Sequence, residues 1–261
     1  QLQLKTPSRI IVPDVRSVYL ATLSATTITH NRKNLIVVSN ETEAERMLSA
    51  LHYFYDLLNF SADNLQILPP VVGLRHEWFA ENEAARCSAL HKALDQGTTV
   101  FIATPASILN GNTAPHNFRQ QSFTLTAGRQ DLPPETLAES LLKLDYDNEA
   151  EVHMPGEFAR RGGILDVFSP IHEVPLRIEF FGDDIDSMRV FDPETQRSIT
   201  EIDAYQIVPR GKSVFSESQN LTTRPDYSFI EYLPEECNIT ICSPADIEQH
   251  LQDFAEESFV Q

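Results

Sequence analysis

The stretch that decides the fold is residues 155–197, which reads PGEFARRGGILDVFSPIHEVPLRIEFFGDDIDSMRVFDPETQR. Apolar and polar side chains alternate along residues 174–181, which is the period of a strand with one buried face. Gly182 and the aspartates that follow it interrupt the apolar runs, as turn residues do between neighbouring strands. The pattern predicts a small antiparallel sheet made of short neighbouring strands.

Further strand-like runs surround this stretch, and one helix precedes most of them. Pro133-Pro134 opens a helix over residues 135–144, because proline fits the first turn of a helix. The order of these elements predicts one helix packed against an antiparallel sheet. The predicted strands are residues 122–126, 149–154, 163–168, 174–181, 185–192, 195–199 and 205–208.

The first third of the chain is organised differently, with short strands between longer helices. Asn40 is placed to cap the first helix, and apolar side chains recur at three- and four-residue steps after it. Alternation of this kind predicts a parallel α/β sheet, so the chain is expected to combine an α/β lobe with a small, mainly antiparallel β domain. The predicted strands are residues 35–39, 65–68 and 99–103, and the helices are residues 41–58 and 81–94.

The net charge of −18 is unevenly distributed along the chain. Residues 1–128 carry ten basic and ten acidic side chains, residues 129–212 carry nine against eighteen, and residues 213–261 carry one against ten. The excess is therefore −9 in each of the last two segments, and the change near Gly128 predicts a change of module there. A field of this sign repels phosphate groups, which argues against binding of nucleic acid or of an anionic membrane surface.

Composition and the order of residue types also indicate the cellular compartment of the protein. No apolar run approaches the roughly 20 residues of a membrane span, and residues 1–7 lack the layout of a signal peptide. Three scattered cysteines do not form a disulfide framework. These features predict a soluble protein of a reducing compartment, the cytoplasm.

Motifs for catalysis are missing from the sequence. The phosphate-loop pattern Gly-x-x-x-x-Gly-Lys-Ser/Thr does not occur, and residues 12–23, where an α/β lobe would carry it, have neither glycine nor lysine. The eight histidines show no zinc-binding spacing. We predict no catalytic, cofactor-binding or metal-binding residue in this chain.

Two other groups resemble sites at first sight. Cys237 and Cys242 flank an apolar strand, and buried spectator thiols explain them better than metal ligands or a redox pair. The acidic residues Asp183, Asp184 and Asp186 lie between two strands, where a hairpin turn explains them better than a cation site.

The strand over residues 174–181 presents Arg177, Glu179 and Phe181 on the face opposite its core side. A loop centred near Ile171 would pair Arg161 with Phe181 and place both on that outer face. The same register turns Leu165 and Val167 outward as well, which a bulge at Gly162-Gly163 would correct.

Two interpretations of this outer face remain open at this point. In the first, Arg160, Arg161 and Arg177 neutralise nearby carboxylates and Phe181 packs under a loop. In the second, arginine and exposed phenylalanine form a protein-binding patch, which is the typical composition of interface hot spots. Arginines within an acidic module would suit a partner with its own acidic and apolar features.

The runs PGEFARRGGILDVF and RIEFFGDDIDSMRVFDPETQRS resemble the UvrA-interaction domain of the bacterial transcription-repair coupling factors (Mfd proteins). The excision-repair protein UvrB has a related domain, but RRGGILDVF and the TQRS ending resemble the coupling factors more closely. Residues 35–55, 100–109 and 227–233 resemble the first α/β lobe of that family and the start of its returning lobe.

The resemblance implies a degenerate UvrB-like α/β lobe without ATPase function, which recruits UvrA to RNA polymerase stalled at a lesion. By motif position the UvrA-binding residues would be Arg161, Arg177 and Phe181, with Glu179 as a weaker candidate. The polymerase-binding, DNA-binding and ATP-binding modules of the family lie farther along its chain, so this sequence would be a fragment. The resemblance implies that the small, mainly antiparallel β (α+β) domain is inserted in the parallel α/β lobe. The implied segments are residues 1–120 for the first part of the lobe, 121–211 for the inserted UvrA-interaction domain and 212–261 for the truncated start of the returning lobe.

Two alternatives accompany this interpretation. A UvrB-type helicase fragment would need a phosphate loop and an aromatic-rich hairpin for DNA, and neither is found in the sequence. An autoinhibitory module that clamps the rest of a parent protein is compatible with recruitment, since the resemblance implies a UvrA-binding face that the parent protein can mask.

Overall fold

The computed structural model describes residues 32–59, 61–70, 80–109, 111–129, 131–210 and 227–259. The chain divides into two compact units: residues 1–66, 98–105 and 237–261 form the first, and residues 67–97 and 106–236 form the second. The second unit is thus inserted into the sequence of the first. Residues 12–23, where a phosphate loop would fall, lie outside the described residues, and the domain boundaries from the sequence stay a prediction.

The described part of the chain contains strands and helices in the following order. The strands are β1 (Asn34–Val37), β2 (Leu65–Leu68), β3 (Val100–Ala103), β4 (Phe123–Thr126), β5 (Asp147–Asn148), β6 (Glu157–Arg161), β7 (Ile164–Val167), β8 (Leu176–Phe181), β9 (Asp184–Phe191), β10 (Ser198–Glu201), β11 (Ala204–Ile207) and β12 (Asn238–Ile241). The helices are α1 (Glu41–Leu58), α2 (Ala80–Leu94), α3 (Pro105–Leu109), α4 (Pro115–Gln121), α5 (Pro134–Lys143) and α6 (Pro244–Phe259), with short 3₁₀ turns at Ala62–Asn64 and Phe229–Tyr232.

The sheet of the first unit has the strand order β12-β1-β3-β2. Strand β1 pairs in parallel with both β12 and β3, and all residues of β1 and β3 are buried. Strands buried on both faces are the mark of a parallel sheet, which is why their sequences are continuous apolar runs. The predicted α/β fold class is confirmed.

Helix α1 begins where the sequence predicts it. The side-chain oxygen of Asn40 accepts a hydrogen bond from the backbone N–H of Glu43 at 3.0 Å, which is the contact of an N-cap. Leu51 and Tyr55 are fully buried on the inner face of the helix. The helix ends at Asn59, which adopts the left-handed conformation with φ 57°.

The second unit contains a six-stranded sheet with the order β10-β9-β8-β7-β6-β5. Its pairs are antiparallel except for β5 and β6, which run in parallel. Helix α5 packs on one face, where Leu137 and Leu141 join Leu165, Leu176 and Ile178 in the core. The predicted combination of one helix and a mainly antiparallel sheet is confirmed.

The prediction of a strand over residues 149–154 is wrong. The strand lies later, at β6, and residues 149–154 form a loop after β5. One carboxylate oxygen of Glu157 accepts hydrogen bonds from the backbone N–H groups of His153 and Met154, which closes this loop locally. Val152 alone is fully buried there, against Phe168 and Phe191. A single buried valine between the polar residues Glu151 and His153 resembles the alternation of a strand.

The prediction of a strand over residues 195–199 is displaced by a few residues, because β10 starts at Ser198. The preceding residues form a turn in which a side-chain oxygen of Asp192 accepts hydrogen bonds from the N–H groups of Glu194 and Thr195. Gln196 then adopts φ 59°. Aspartate often stabilises a turn in this way, and here the turn delays the strand.

Among the described residues, two features are absent: a membrane-spanning helix and a cluster of metal-binding side chains. None of the helices in the described residues is long and apolar enough to cross a membrane. Within the same residues, no group of three or more His, Cys, Asp or Glu side chains is arranged to hold a metal ion. The aspartates after Gly182 lie at a turn with φ 64° at that glycine, as predicted for a hairpin.

Alkylation of the cysteines is expected to be slow. Burial raises the pKa of both Cys237 and Cys242 to about 11, and burial raises the pKa of Cys87 as well. At pH 8 we expect iodoacetamide to modify Cys237 and Cys242 about 100-fold more slowly than a peptide thiol, because the thiolate is the reactive species. Mass spectrometry of timed samples measures these rates, with a cysteine peptide in the same tube as the reference. Modification at the rate of the peptide would contradict the expectation.

Candidate protein-interaction surface

The six-stranded sheet has an outer face, which is the face opposite the core and helix α5. Cross-strand pairs fix its members. Asp166 on β7 lies opposite Arg177 on β8, and Arg177 lies opposite Arg189 on β9. Side chains two residues apart share a face, so the outer face includes Arg161, Ile164, Asp166, Arg177, Glu179, Phe181 and Arg189.

The predicted register of this face is wrong by one residue. Arg161 lies opposite Ile164, not opposite Phe181, and Leu165 lies opposite Ile178 on the core face. A shift of one residue reverses the side on which every side chain of a strand lies. The correct register therefore buries Leu165, which the predicted one had turned outward.

The pair Gly162-Gly163 does not form the predicted bulge. It is the turn of the hairpin that joins β6 and β7. Gly162 has φ 62°, a conformation that side chains rarely adopt, so glycine is needed at this point of the turn.

A buried carboxylate, that of Asp166, binds two arginines at the centre of the outer face. Its side chain is only 1% exposed. The Nε and Nη2 atoms of Arg177 each donate a hydrogen bond to it at 2.8 Å, and Nη2 of Arg161 donates at 3.2 Å. These hydrogen bonds also raise the pKa of Arg177 above its ordinary value. Two parallel N–H···O bonds to one carboxylate are a strong and directional arrangement.

Arg177 is held from other sides too. Its Nη1 donates to the backbone oxygen of Gln196 at 3.2 Å, and its guanidinium lies 4.5 Å from the centre of the Phe191 ring. The side chain is 17% exposed. The sequence placed Arg177 on the correct face. Its hydrogen bonds are directed into the protein itself, and its contact with a partner stays a prediction.

Phe181 is the most prominent apolar group of this face. It is 82% exposed, more than any other large apolar side chain in the described residues. It lies at the end of β8 beside the turn that leads into β9. The interpretation that Phe181 packs under a loop is therefore wrong, although the pairing of the arginines with carboxylates is present.

The neighbours of Phe181 complete a small exposed area. Ile164 is 37% exposed and lies opposite Glu179. Arg161 has about half of its side chain exposed, and its Nη1 also approaches Glu151 at 3.5 Å. We call Arg161, Ile164, Glu179 and Phe181 the Phe181 patch. An aromatic ring, an aliphatic group and a guanidinium at one end of a rigid sheet suit contact with another protein.

Arg189 belongs to the same face, but the sequence reasoning missed it. It donates from Nη2 to Ser187 at 3.3 Å and approaches Glu179 at 3.5 Å. The signal was available, because Arg189 has the outward parity on the strand predicted over residues 185–192. The antiparallel partner of that strand had to be known before the parity could be placed on the face of Arg177.

The chain is similar in sequence to a known domain family and to several curated proteins. Residues 124–212 match the family described as UvrB interaction domain. The transcription-repair-coupling factor of Myxococcus xanthus is 40% identical over 51% of this chain. The corresponding factor of Mycobacterium tuberculosis is 33% identical over 67% of the chain, and that of Escherichia coli is 26% identical over 80%.

These matches confirm the family interpretation made from the sequence. The chain belongs to the transcription-repair coupling factors and contains a UvrB interaction domain. It spans 11%, 14% and 18% of the length of the three relatives named above. The matched residues 124–212 include every strand that contributes to the outer face and to the Phe181 patch.

Proposed function

We propose that this chain is a non-catalytic interaction module that binds UvrA through the Phe181 patch. The observation that carries the proposal is the 82% exposure of Phe181 on the same sheet face as the half-exposed Arg161. Aromatic and arginine side chains dominate the binding energy of protein interfaces. The match to a UvrB interaction domain supports UvrA as the partner.

The charges of the patch fit a partner surface that combines a carboxylate with an apolar pocket. Arg161 offers donors at the surface, whereas Asp166 beneath it is inaccessible at 1% exposure. Around them the segment over residues 129–212 is strongly acidic, with eighteen acidic and nine basic side chains. A partner that approaches Arg161 with a carboxylate and Phe181 with an apolar pocket would avoid most of that repulsion.

The cellular role that we propose is recruitment of UvrA to RNA polymerase stalled at a lesion, in cytoplasmic nucleotide excision repair. The name of the relatives, transcription-repair-coupling factor, supports this role. Polymerase, DNA and ATP would bind to other modules of the longer proteins. The lack of a phosphate-loop motif in the sequence supports an interaction module without its own nucleotide chemistry.

Substitution of the patch tests the proposal. We expect Phe181→Ala and Arg161→Ala each to weaken binding of cognate UvrA by roughly 1–3 kcal/mol, which is about 5- to 150-fold in Kd. Phe181 loses its contact with an apolar pocket, and Arg161 loses a charged hydrogen bond. Isothermal titration of UvrA against the wild type and the variants measures the change.

The matched control is Arg160→Ala. Arg160 precedes Arg161 on β6, but it forms an ion pair with Glu135 at the start of helix α5. This variant removes the same charge from the opposite side of the sheet, so its Kd is expected to equal that of the wild type. Circular dichroism confirms that each variant is folded. Unchanged affinity of both Phe181→Ala and Arg161→Ala would reject the proposed surface.

A further inference from the structure

We infer that Arg189 is a further contact residue of this surface and binds a carboxylate of the partner protein. The inference rests on the proposed function, because it names a further contact of the same outer face. Arg189 is also the third arginine of that face. Its place in the fold and the state of its guanidinium carry the argument.

Arg189 is positioned by two neighbouring strands. It lies on β9 opposite Arg177 on β8, and Ser187 on the same strand lies opposite Glu179 of the Phe181 patch. The guanidinium approaches the carboxylate of Glu179 at 3.5 Å. Arg189 is therefore next to the patch, on a backbone that hydrogen bonds hold on both sides.

The hydrogen-bonding capacity of Arg189 is largely unused. Among the described residues its one hydrogen bond is the 3.3 Å contact from Nη2 to Ser187. Its Nε is buried and has no partner there. A guanidinium has five N–H donors, and a buried donor without a partner costs free energy. An acceptor from another protein cannot reach the buried Nε, but the terminal nitrogens, which make only the 3.3 Å bond to Ser187 within the described part of the chain, have donors left for one.

The nearby carboxylates do not satisfy this guanidinium. Glu179 at 3.5 Å and Glu201 at 3.9 Å are both farther away than the 2.7–2.9 Å of a strong charged hydrogen bond. Glu201 is 80% exposed, so water screens its interaction with Arg189. Arg177 makes an informative contrast, since both of its short bonds reach one buried carboxylate.

The group that would use the remaining hydrogen-bond donors of Arg189 is a carboxylate from outside the chain. The Arg189 side chain is 29% exposed on the outer face of the sheet, whereas its Nε is buried. A carboxylate there accepts two parallel hydrogen bonds from one guanidinium. We therefore expect an aspartate or glutamate of UvrA to bind Arg189 while an apolar pocket of UvrA receives Phe181.

Titration of UvrA against Arg189→Ala and Arg189→Lys tests the inference. The alanine variant is expected to bind about tenfold more weakly, which is the effect of losing a charged hydrogen bond. The lysine variant keeps the charge but not the fork of donors, so it is expected to recover less than half of the lost binding free energy. Full recovery of the lost binding free energy in Arg189→Lys would contradict a contact through two hydrogen bonds, because a positive charge alone would then explain the binding.

Salt dependence separates the contact from a general charge effect. We expect Arg189→Ala to weaken binding at both 0.1 and 0.5 M NaCl, whereas Arg160→Ala is expected to change affinity at neither. Thermal unfolding of Arg189→Ala should match the wild type, because little is lost in the free protein. If Phe181→Ala weakens binding and Arg189→Ala does not, the inference fails and the proposed function stands. If Phe181→Ala, Arg161→Ala and Arg189→Ala all leave the affinity unchanged, both fail.

Discussion

Replacement of Asp166 by alanine is expected to lower the free energy of unfolding of the sheet by about 3 kcal/mol, the low end of the range for breaking a buried ion pair from one side. Asp166 is 1% exposed and accepts hydrogen bonds from both Arg177 and Arg161. Without it, Arg177 keeps its contacts with Gln196 and Phe191 but loses its only carboxylate partner at hydrogen-bonding distance in the described residues.

Hydrogen exchange of the backbone amides of β7 and β8 under native conditions measures this loss in the affected unit. Asp166→Asn is the conservative variant, because an amide oxygen can still accept one of the arginine hydrogen bonds, so a smaller loss is expected. Glu201→Ala is the matched control, since this carboxylate is 80% exposed and its removal should change stability by less than about 0.5 kcal/mol. Protection factors for Asp166→Ala equal to those of the wild type would show that the carboxylate does not stabilise the sheet.

Local features of the fold could be predicted from the sequence because nearby residues determine them. Asn40 lies three residues before Glu43, and that spacing alone specifies the N-cap of α1. Continuous apolar runs predicted the buried parallel strands β1 and β3 in the same way. In each case the interacting groups lie within one helical turn or one strand.

The pairing register of β7 and β8 could not be predicted from nearby residues alone, because it depends on the number of residues in the loop that connects the two strands. A loop centred near Ile171 pairs Leu165 with Arg177, whereas the structure pairs Asp166 with Arg177. The sequence contained a warning, since the predicted register exposed Leu165 and Val167. Both are fully buried, and burial of both apolar side chains would have selected the correct register.

In the candidate surface, too, nearby residues determine one property, the face on which a side chain lies, and distant residues determine another, its exposure. Parity along β8 was enough to place Arg177, Glu179 and Phe181 on one face. The difference in exposure between Arg177 and Phe181 depends on Gln196 and Phe191, which come from other parts of the chain. No pattern within β8 itself distinguishes the less exposed arginine from the exposed phenylalanine.

Arg210 occupies a position in the second unit where one side chain joins several elements. Its side chain is 4% exposed, and its Nε donates to the buried Glu83 of α2 at 2.5 Å. Its Nη1 donates to Asp147 of β5 and, at 3.3 Å, to the backbone oxygen of Gly156. Its backbone N–H donates to the carbonyl of Leu144 after α5. One guanidinium therefore connects a helix, a strand edge and a turn that lie far apart in the sequence.

Replacement of Arg210 by methionine is expected to destabilise the second unit by about 3–5 kcal/mol, because the buried Glu83 loses a charged donor while the apolar stem is retained. Urea unfolding followed by hydrogen exchange of α2 and β6 measures the effect. Arg119→Ala is the matched control, since Arg119 bonds one backbone oxygen at an exposed site.

Two further variants distinguish the buried charge pair from simple packing. Glu83→Gln in the Arg210→Met background removes the buried charge, so it should recover part of the lost stability if the charge is the cause. Gly156→Ala should mimic the loss with Arg210 intact, because a Cβ at residue 156 would lie 2.6 Å from Nε of Arg210 and φ is +88°. A well-packed arginine without electrostatic importance would give no recovery from Glu83→Gln. Recovery by that variant would show that the uncompensated charge of the buried Glu83 causes the loss, and that the connection between α2 and Arg210 depends on pairing this charge.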